Sequence, residues 1–111
     1  MNHKDLIAIK KIISEIEMAQ KFIGNLSVEE FTNNEIVARA VALTVINIGE
    51  LVKVTSDETR TASSNIPWKA AARFRDIAAH HYQSIDMAVL YNTVKDDFPP
   101  FKAQLEKLIA E

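Results

Sequence analysis

The chain has 111 residues, of which 48% are hydrophobic and 25% are charged, and it carries a formal net charge of −2 without any cysteine. This composition excludes a disordered chain, a disulfide scaffold and a thiolate metal site, and the acidic balance argues against a broadly basic nucleic-acid coat. Only two glycines and three prolines are available for turns, which favours helices. No apolar leader and no run of about 18 apolar residues is seen, so we expect a cytoplasmic protein with no membrane span and one domain, residues 1–111.

Two helices are predicted near the N-terminus. Apolar residues recur at helical spacing from about residue 3 to residue 23, with charges on the other faces, which predicts an amphipathic helix ending at Gly24-Asn25. Ser27 and Glu30 have capping-box spacing, which predicts a short helix through Phe31. The polar residues at 32–34 end it and provide the next N-cap.

The longest predicted helix covers residues 36–54 and should be the central one, because most of its positions are apolar. Its β-branched content makes a strand the competing prediction, but its length and lack of turn residues favour a helix. Gly49 costs about 1 kcal/mol relative to alanine, which indicates a close helix contact. Glu50 is an unusual charge here. We expect an ion pair or cap for another helix, and the alternative is a supporting role near the basic cluster Lys69, Arg73 and Arg75.

Residues 55–65 are polar and are predicted to form a frayed helix end followed by a loop. Pro67 suits a first helical position, and no other breaker occurs before Tyr82, so residues 68–82 are predicted as a helix. Asp86 then caps a helix over residues 87–97, Pro99-Pro100 must break or kink it, and apolar residues at helical spacing follow to Ile109. The fold class predicted from these elements is all-α, an antiparallel bundle of about five helices in a single domain.

The segment Arg75–Tyr82 holds an arginine, an acid, a tyrosine and two of the three histidines of the chain. Asp76 and His80 are i, i+4 neighbours, so they are within reach of each other. Arg75 and His80 diverge by about 140° on a regular helix, so either the helix frays near His80 or a second copy of the chain completes the site. On spacing alone, a solvated surface histidine competes with a catalytic role for His80.

His81 has a different expected role from its neighbour. It continues an apolar stripe formed by Phe74, Ile77 and Ala78, so we expect it to pack structurally.

The same residues resemble a known family. Arg75, four intervening residues and His80 match the R-x4–6-H motif of HEPN-domain proteins, and His80-His81-Tyr82 matches the H-x-Y extension of the HepT-type branch. Ile48-Gly49-Glu50 and Ile66-Pro67-Trp68 also look like that branch, so the resemblance spans the central helix through Tyr82.

The resemblance implies a homodimeric, metal-independent ribonuclease of a type VII-like MntA–HepT toxin–antitoxin pair, with no cofactor. Arg75 and His80 would be the catalytic residues acting on RNA. A nucleotidyltransferase antitoxin of the MntA type would transfer AMP to Tyr82 and so neutralise the toxin. The position after the arginine is usually polar and often asparagine in this family, whereas here it is Asp76, which suits support of His80 but adds negative charge where phosphate must bind.

The sequence leaves two other functions open. The first is a non-catalytic subunit that binds a nucleotide or substrate for an associated nucleotidyltransferase; the low net charge and Asp76 favour it, whereas the complete R-x4-H-x-Y pattern favours the enzyme. The second is a helical interaction module without a site.

Overall fold

The helices of the computed structural model, which describes residues 1–111, start at residues with capping side chains in most cases. The seven α-helices are α1 His3–Ile23, α2 Val28–Thr32, α3 Glu35–Val54, α4 Asp57–Ala62, α5 Trp68–His80, α6 Met87–Asn92 and α7 Phe98–Ala110. Tyr82–Ser84 form a 3-10 turn before α6, and Thr93–Asp97 form a π-helical segment between α6 and α7. No strand is present, so the predicted all-α class is confirmed.

Local capping explains the first three helices and agrees with the sequence. Gly24 ends α1 with a φ of 51°, a backbone conformation that favours glycine. Ser27 and Glu30 form the predicted capping box at the start of α2. Asn34 accepts the N–H of Val37 at 3.1 Å and caps α3.

The expectation of a frayed end and loop over residues 55–65 was wrong, because α4 lies within it. Ser56 caps this helix, and its backbone N–H donates to the carboxylate of buried Asp5 at 3.0 Å. The hydroxyls of Ser56 and Thr59 donate to the same carboxylate at 2.5 and 2.6 Å. These bonds to α1 supply the stabilisation that α4, with its polar sequence, lacks by itself.

The hydrophobic core surrounds α3, which packs against α1 on one side and α5 on the other. Asn47 of α3 donates to Glu15 of α1, while Ser56 just past α3 bonds Asp5 near the start of α1, so the two helices run antiparallel. The helix α7 also contacts α1, where Lys102 pairs with Glu17 at 3.2 Å. The antiparallel arrangement therefore matches the prediction.

Pro99-Pro100 were predicted to break or kink the helix over residues 87–97, but the chain continues through them as α7. Pro99 and Pro100 lie in its first turn, and neither can donate a backbone N–H to the preceding turn. The chain widens to a π-helix over Thr93–Asp97, and the N–H of Phe98 reaches back to the carbonyl of Thr93. The chain thus stays helical while Val94 and Phe98 both enter the core.

Candidate active site at the contact of α3 and α5

The contact between α3 and α5 is closest where Gly49 faces Arg75. A β carbon added at Gly49 would overlap the β and γ carbons of the Arg75 side chain. The glycine therefore lets the stem of Arg75 lie against the backbone of α3, as the sequence indicated for a close helix contact.

The guanidinium of Arg75 lies between two carboxylates and is held from both sides. It forms an ion pair with Glu50 of α3 and a second one with Asp76, at 2.9 Å from Nη1 to Oδ1. Asp76 first and Glu50 second raise the pKa of Arg75 above its ordinary value. The side chain is 19% exposed, and its Nε is buried without a hydrogen-bond partner, so most of the residue packs against the bundle. The expected ion-pair role of Glu50 is present, and its partner is the arginine of the motif.

Asp76 is directed towards cations and not towards His80. Its Oδ1 accepts a hydrogen bond from the guanidinium of Arg75. The same oxygen accepts from the ammonium of Lys53 of α3, with 3.2 Å between Nζ and Oδ1. Arg75 first and Lys53 second lower the pKa of Asp76 below its ordinary value. No hydrogen bond joins Asp76 to His80, so the structure brings Arg75, Asp76, Glu50 and Lys53 together and leaves His80 apart from them.

The motif helix ends at His80, two residues earlier than predicted, and Pro67 precedes it instead of occupying its first position. The backbone N–H of His81 still donates to Ile77 at 2.8 Å, but the chain then turns into the 3-10 segment. His81 therefore leaves the apolar stripe and is exposed, which corrects the expectation that it packs structurally. His80 is also exposed, at the open end of the helix, and Ile77 is largely exposed too.

Tyr82 lies just past the helix end and packs partly against the core. The guanidinium carbon of Arg39 lies 4.9 Å from the centre of its ring, in range of a cation–π interaction. Arg39 belongs to α3 and also pairs with Glu35 at 2.8 Å. A positive charge thus lies over the tyrosine that the motif contains.

Sequence reasoning missed two cations of this site, Lys53 and Arg39. Both belong to a polar stripe on α3 that also includes Glu50. The position of this stripe was the signal that could have identified these cations. Because α3 was expected to be central, a polar face on it must meet a neighbouring helix or solvent. The partner of each residue depends on how α5 and the 3-10 turn pack along α3, which periodicity does not specify.

No group of three or more His, Asp or Glu side chains is arranged to hold a metal ion. No helix has both the length and the apolar content needed to cross a bilayer.

The fold and site together define the class of protein. An all-α bundle carrying Arg75, His80 and Tyr82 at the spacing R-x4-H-x-Y, with the arginine held at the contact of the central and motif helices, is a HEPN-type domain. A fixed guanidinium suits binding of a phosphate diester, and an imidazole suits proton transfer near neutral pH.

Comparison with known proteins identifies the family within this class. Residues 12–108 match the family model described as "Ribonuclease HepT-like", so the chain belongs to the HepT-like ribonucleases. It is 34% identical over 107 residues to the "Probable ribonuclease HepT" of Thermococcus cleftensis, covering 96% of each chain. It is 30% identical over 107 residues to a protein of Methanocaldococcus jannaschii named as a candidate RNase, covering 96% of this chain and 98% of that one. No solved structure matches the chain.

Proposed function

We propose that the protein is a metal-independent endoribonuclease, the toxin of a toxin–antitoxin pair whose antitoxin is a nucleotidyltransferase. Ribonuclease activity of the HEPN type is supported by the family match. The observation that carries the proposal is the placement of Arg75, whose stem packs against Gly49 and whose guanidinium is held by Glu50 of α3.

The chemistry requires few groups. One His80 removes the proton of a ribose 2′-OH, the oxygen attacks the adjacent phosphorus, and the bond from phosphorus to the 5′-oxygen breaks. A second His80 donates a proton to the leaving 5′-oxygen, and Arg75 stabilises the charge that builds on the non-bridging oxygens. The products are a 2′,3′-cyclic phosphate and a free 5′-hydroxyl.

A homodimer supplies the second histidine, and a row of residues on α3 supports such an assembly. The row follows one face of the helix at spacings of seven and four residues: Ile36, Leu43, Glu50 and Val54. Ile36, Leu43 and Val54 are 83%, 57% and 53% exposed, which is unusual for large apolar residues aligned on a central helix. Glu50 is in this row and pairs with Arg75, so a second copy on this face would bring the two arginines near the two-fold axis.

The regulatory part of the proposal is neutralisation by transfer of AMP to Tyr82. The hydroxyl oxygen of Tyr82 attacks the α-phosphorus of ATP and loses its proton, the bond to the β-phosphate breaks, and pyrophosphate leaves. The side chain is partly exposed, and Arg39 lies over its ring. A phosphate added to its oxygen would gain a nearby cation and would place negative charge and bulk beside the motif, so RNA would be repelled. After co-expression with a nucleotidyltransferase of the partner class, intact mass should rise in steps of one AMP, and Tyr82→Phe should show none. A fully inhibited complex with unmodified Tyr82 would point to simple occlusion.

Ribonuclease activity itself is tested by three substitutions. His80→Ala and Arg75→Ala should each reduce RNA cleavage at least a hundredfold with helical content unchanged, because each removes a group that acts in the transition state. His81→Ala is the matched control, since this neighbour is also an exposed histidine, and it should cleave like the wild type. Cleavage should persist in EDTA. If EDTA abolishes cleavage and added magnesium restores it, the metal-independent mechanism is rejected.

The competing function is a nucleotide-binding subunit without catalysis. The two carboxylates that hold Arg75 favour it, because they neutralise the cation that a ribonuclease needs. Wild-type protein that binds nucleotide through Arg75 but leaves RNA intact would establish this alternative.

A further inference from the structure

The ion pairs of Asp76 contain an arrangement that the family motif does not describe. One carboxylate oxygen, Oδ1 of Asp76, accepts at once from the guanidinium of Arg75 at 2.9 Å and from the ammonium of Lys53 at 3.2 Å. Two cations from different helices, α5 and α3, thus converge on a single anionic oxygen.

The lysine and the carboxylate of this arrangement are accessible to a larger anion. The side chains of Lys53 and Asp76 are 45% and 52% exposed, so neither is enclosed by the bundle. Asp76 forms side-chain hydrogen bonds through Oδ1 only, which leaves its carboxylate free to rotate towards solvent. A pair of this exposure contributes little to folding, so little is lost when the pair opens.

A phosphate diester is the anion whose chemistry fits this position. Its two non-bridging oxygens carry the charge, and an arginine and a lysine can bind them together, the first as a fork and the second as a point charge. Arg39 is another cation near the motif, but it is already engaged by Glu35 and lies over Tyr82, so it is not part of this convergence.

We infer that Lys53 is a second phosphate-binding residue of the active site, and that the carboxylate of Asp76 occupies the position of the substrate phosphate oxygen when RNA is absent. This inference rests on the proposed ribonuclease function and deepens it. RNA binds by displacing Asp76 from both cations, so the residue after Arg75 sets the affinity for substrate, and the lysine contacts the RNA backbone directly.

The test measures binding separately from cleavage. All variants carry His80→Ala, and the probe is a fluorophore-labelled single-stranded RNA whose anisotropy is followed over a series of salt concentrations. Lys53→Gln should weaken binding about fivefold at low salt, and should reduce the slope of log K against log salt by about 0.7, the value for one phosphate contact on a single strand. Lys53→Arg should restore both values, and Lys107→Gln, an exposed lysine of α7, should change neither. Asp76→Asn should strengthen binding severalfold.

The double variant separates direct contact from simple neutralisation. If Lys53 binds phosphate, Lys53→Gln weakens binding in the Asp76→Asn background as well. If it only offsets the charge of Asp76, the effect disappears in that background, and the inference is rejected.

Cleavage assays on the same substitutions with His80 intact keep the two proposals apart. RNA that is cleaved with no dependence on Lys53 would overturn this inference alone. If RNA is bound through Lys53 but never cleaved, the proposed ribonuclease function is rejected, and the role of Lys53 in phosphate binding stands. Protein that neither binds nor cleaves RNA would reject both.

Discussion

Asp5 accepts the hydrogen bonds that join α4 and its capping residue to α1. Its buried carboxylate accepts one backbone N–H and two hydroxyls from Ser56 and Thr59. Asp5→Ala leaves these donors unpaired, so we expect the free energy of unfolding to fall by about 2–3 kcal/mol. Asp57→Ala is a control in the same region, because Asp57 forms only an exposed pair with Arg60, and its effect should stay within about 0.5 kcal/mol. Urea denaturation measures both, and equal effects would contradict the role of Asp5.

The contribution of Asp5 should also depend on pH in a defined direction. Hydrogen bonds from Ser56 and then Thr59 lower the pKa of this carboxyl below its ordinary value of 3.8. Such a group stabilises the fold fully above its unfolded pKa and loses this contribution as the pH falls through the folded value. The stability difference between wild type and Asp5→Ala should therefore be constant above about pH 5 and shrink below about pH 4. If this stability difference grows as the pH falls, the pKa of Asp5 is not lowered by folding, and the prediction is wrong.

At the scale of elements, the contact between α3 and α5 depends on the missing side chain of Gly49. Gly49→Ala gains up to about 1 kcal/mol of helix propensity, but the methyl group must displace Arg75 or the whole of α5, at a cost of about 1–3 kcal/mol. We expect a lower melting temperature, retained helical content and strongly reduced RNA cleavage. An alanine variant that melts higher than the wild type and cleaves normally would show that the helices do not meet so closely.

The ends of the helices show how much of the fold could be predicted from the sequence alone. Caps such as Gly24 and the Ser27–Glu30 box are local, so the ends of α1 and α2 could be predicted within a residue or two. The helix α4 was missed because its support comes from Asp5, about fifty residues earlier, although Ser56 followed by two acids was a visible start signal.

For the candidate site, the sequence indicated some of the members but not how they pair. Arg75, His80 and Tyr82 follow from motif spacing, and Glu50 from being a charge on an apolar helix. The convergence of Lys53 and Arg75 on Asp76 needs the relative position of two helices, which is set by packing and not by local pattern.

At the scale of the whole molecule, the exposed row on α3 predicts self-association. Leu43→Glu puts a charge into the middle of this row, so we expect it to convert a dimer to monomers and to reduce cleavage, with the fold intact. Val89→Glu is the matched control, since Val89 is a similarly exposed aliphatic residue on α6, off the row. Light scattering gives the masses. A wild-type protein that is monomeric at micromolar concentration would contradict the composite site.

The four charges at the contact of α3 and α5 also govern how fast substrate can arrive. Arg75 and Lys53 are balanced one for one by Glu50 and Asp76, so these four charges contribute no net positive field, and the whole chain carries −2. RNA is therefore not steered to the protein, and we expect an association rate constant near the unsteered range of about 10⁵–10⁶ M⁻¹s⁻¹ that hardly changes with ionic strength.

The salt dependence should instead appear in dissociation, after the carboxylates have been displaced. Stopped-flow measurements at two salt concentrations would separate the two rates, and an association rate that drops steeply with salt would reveal a steering field that these charges do not provide.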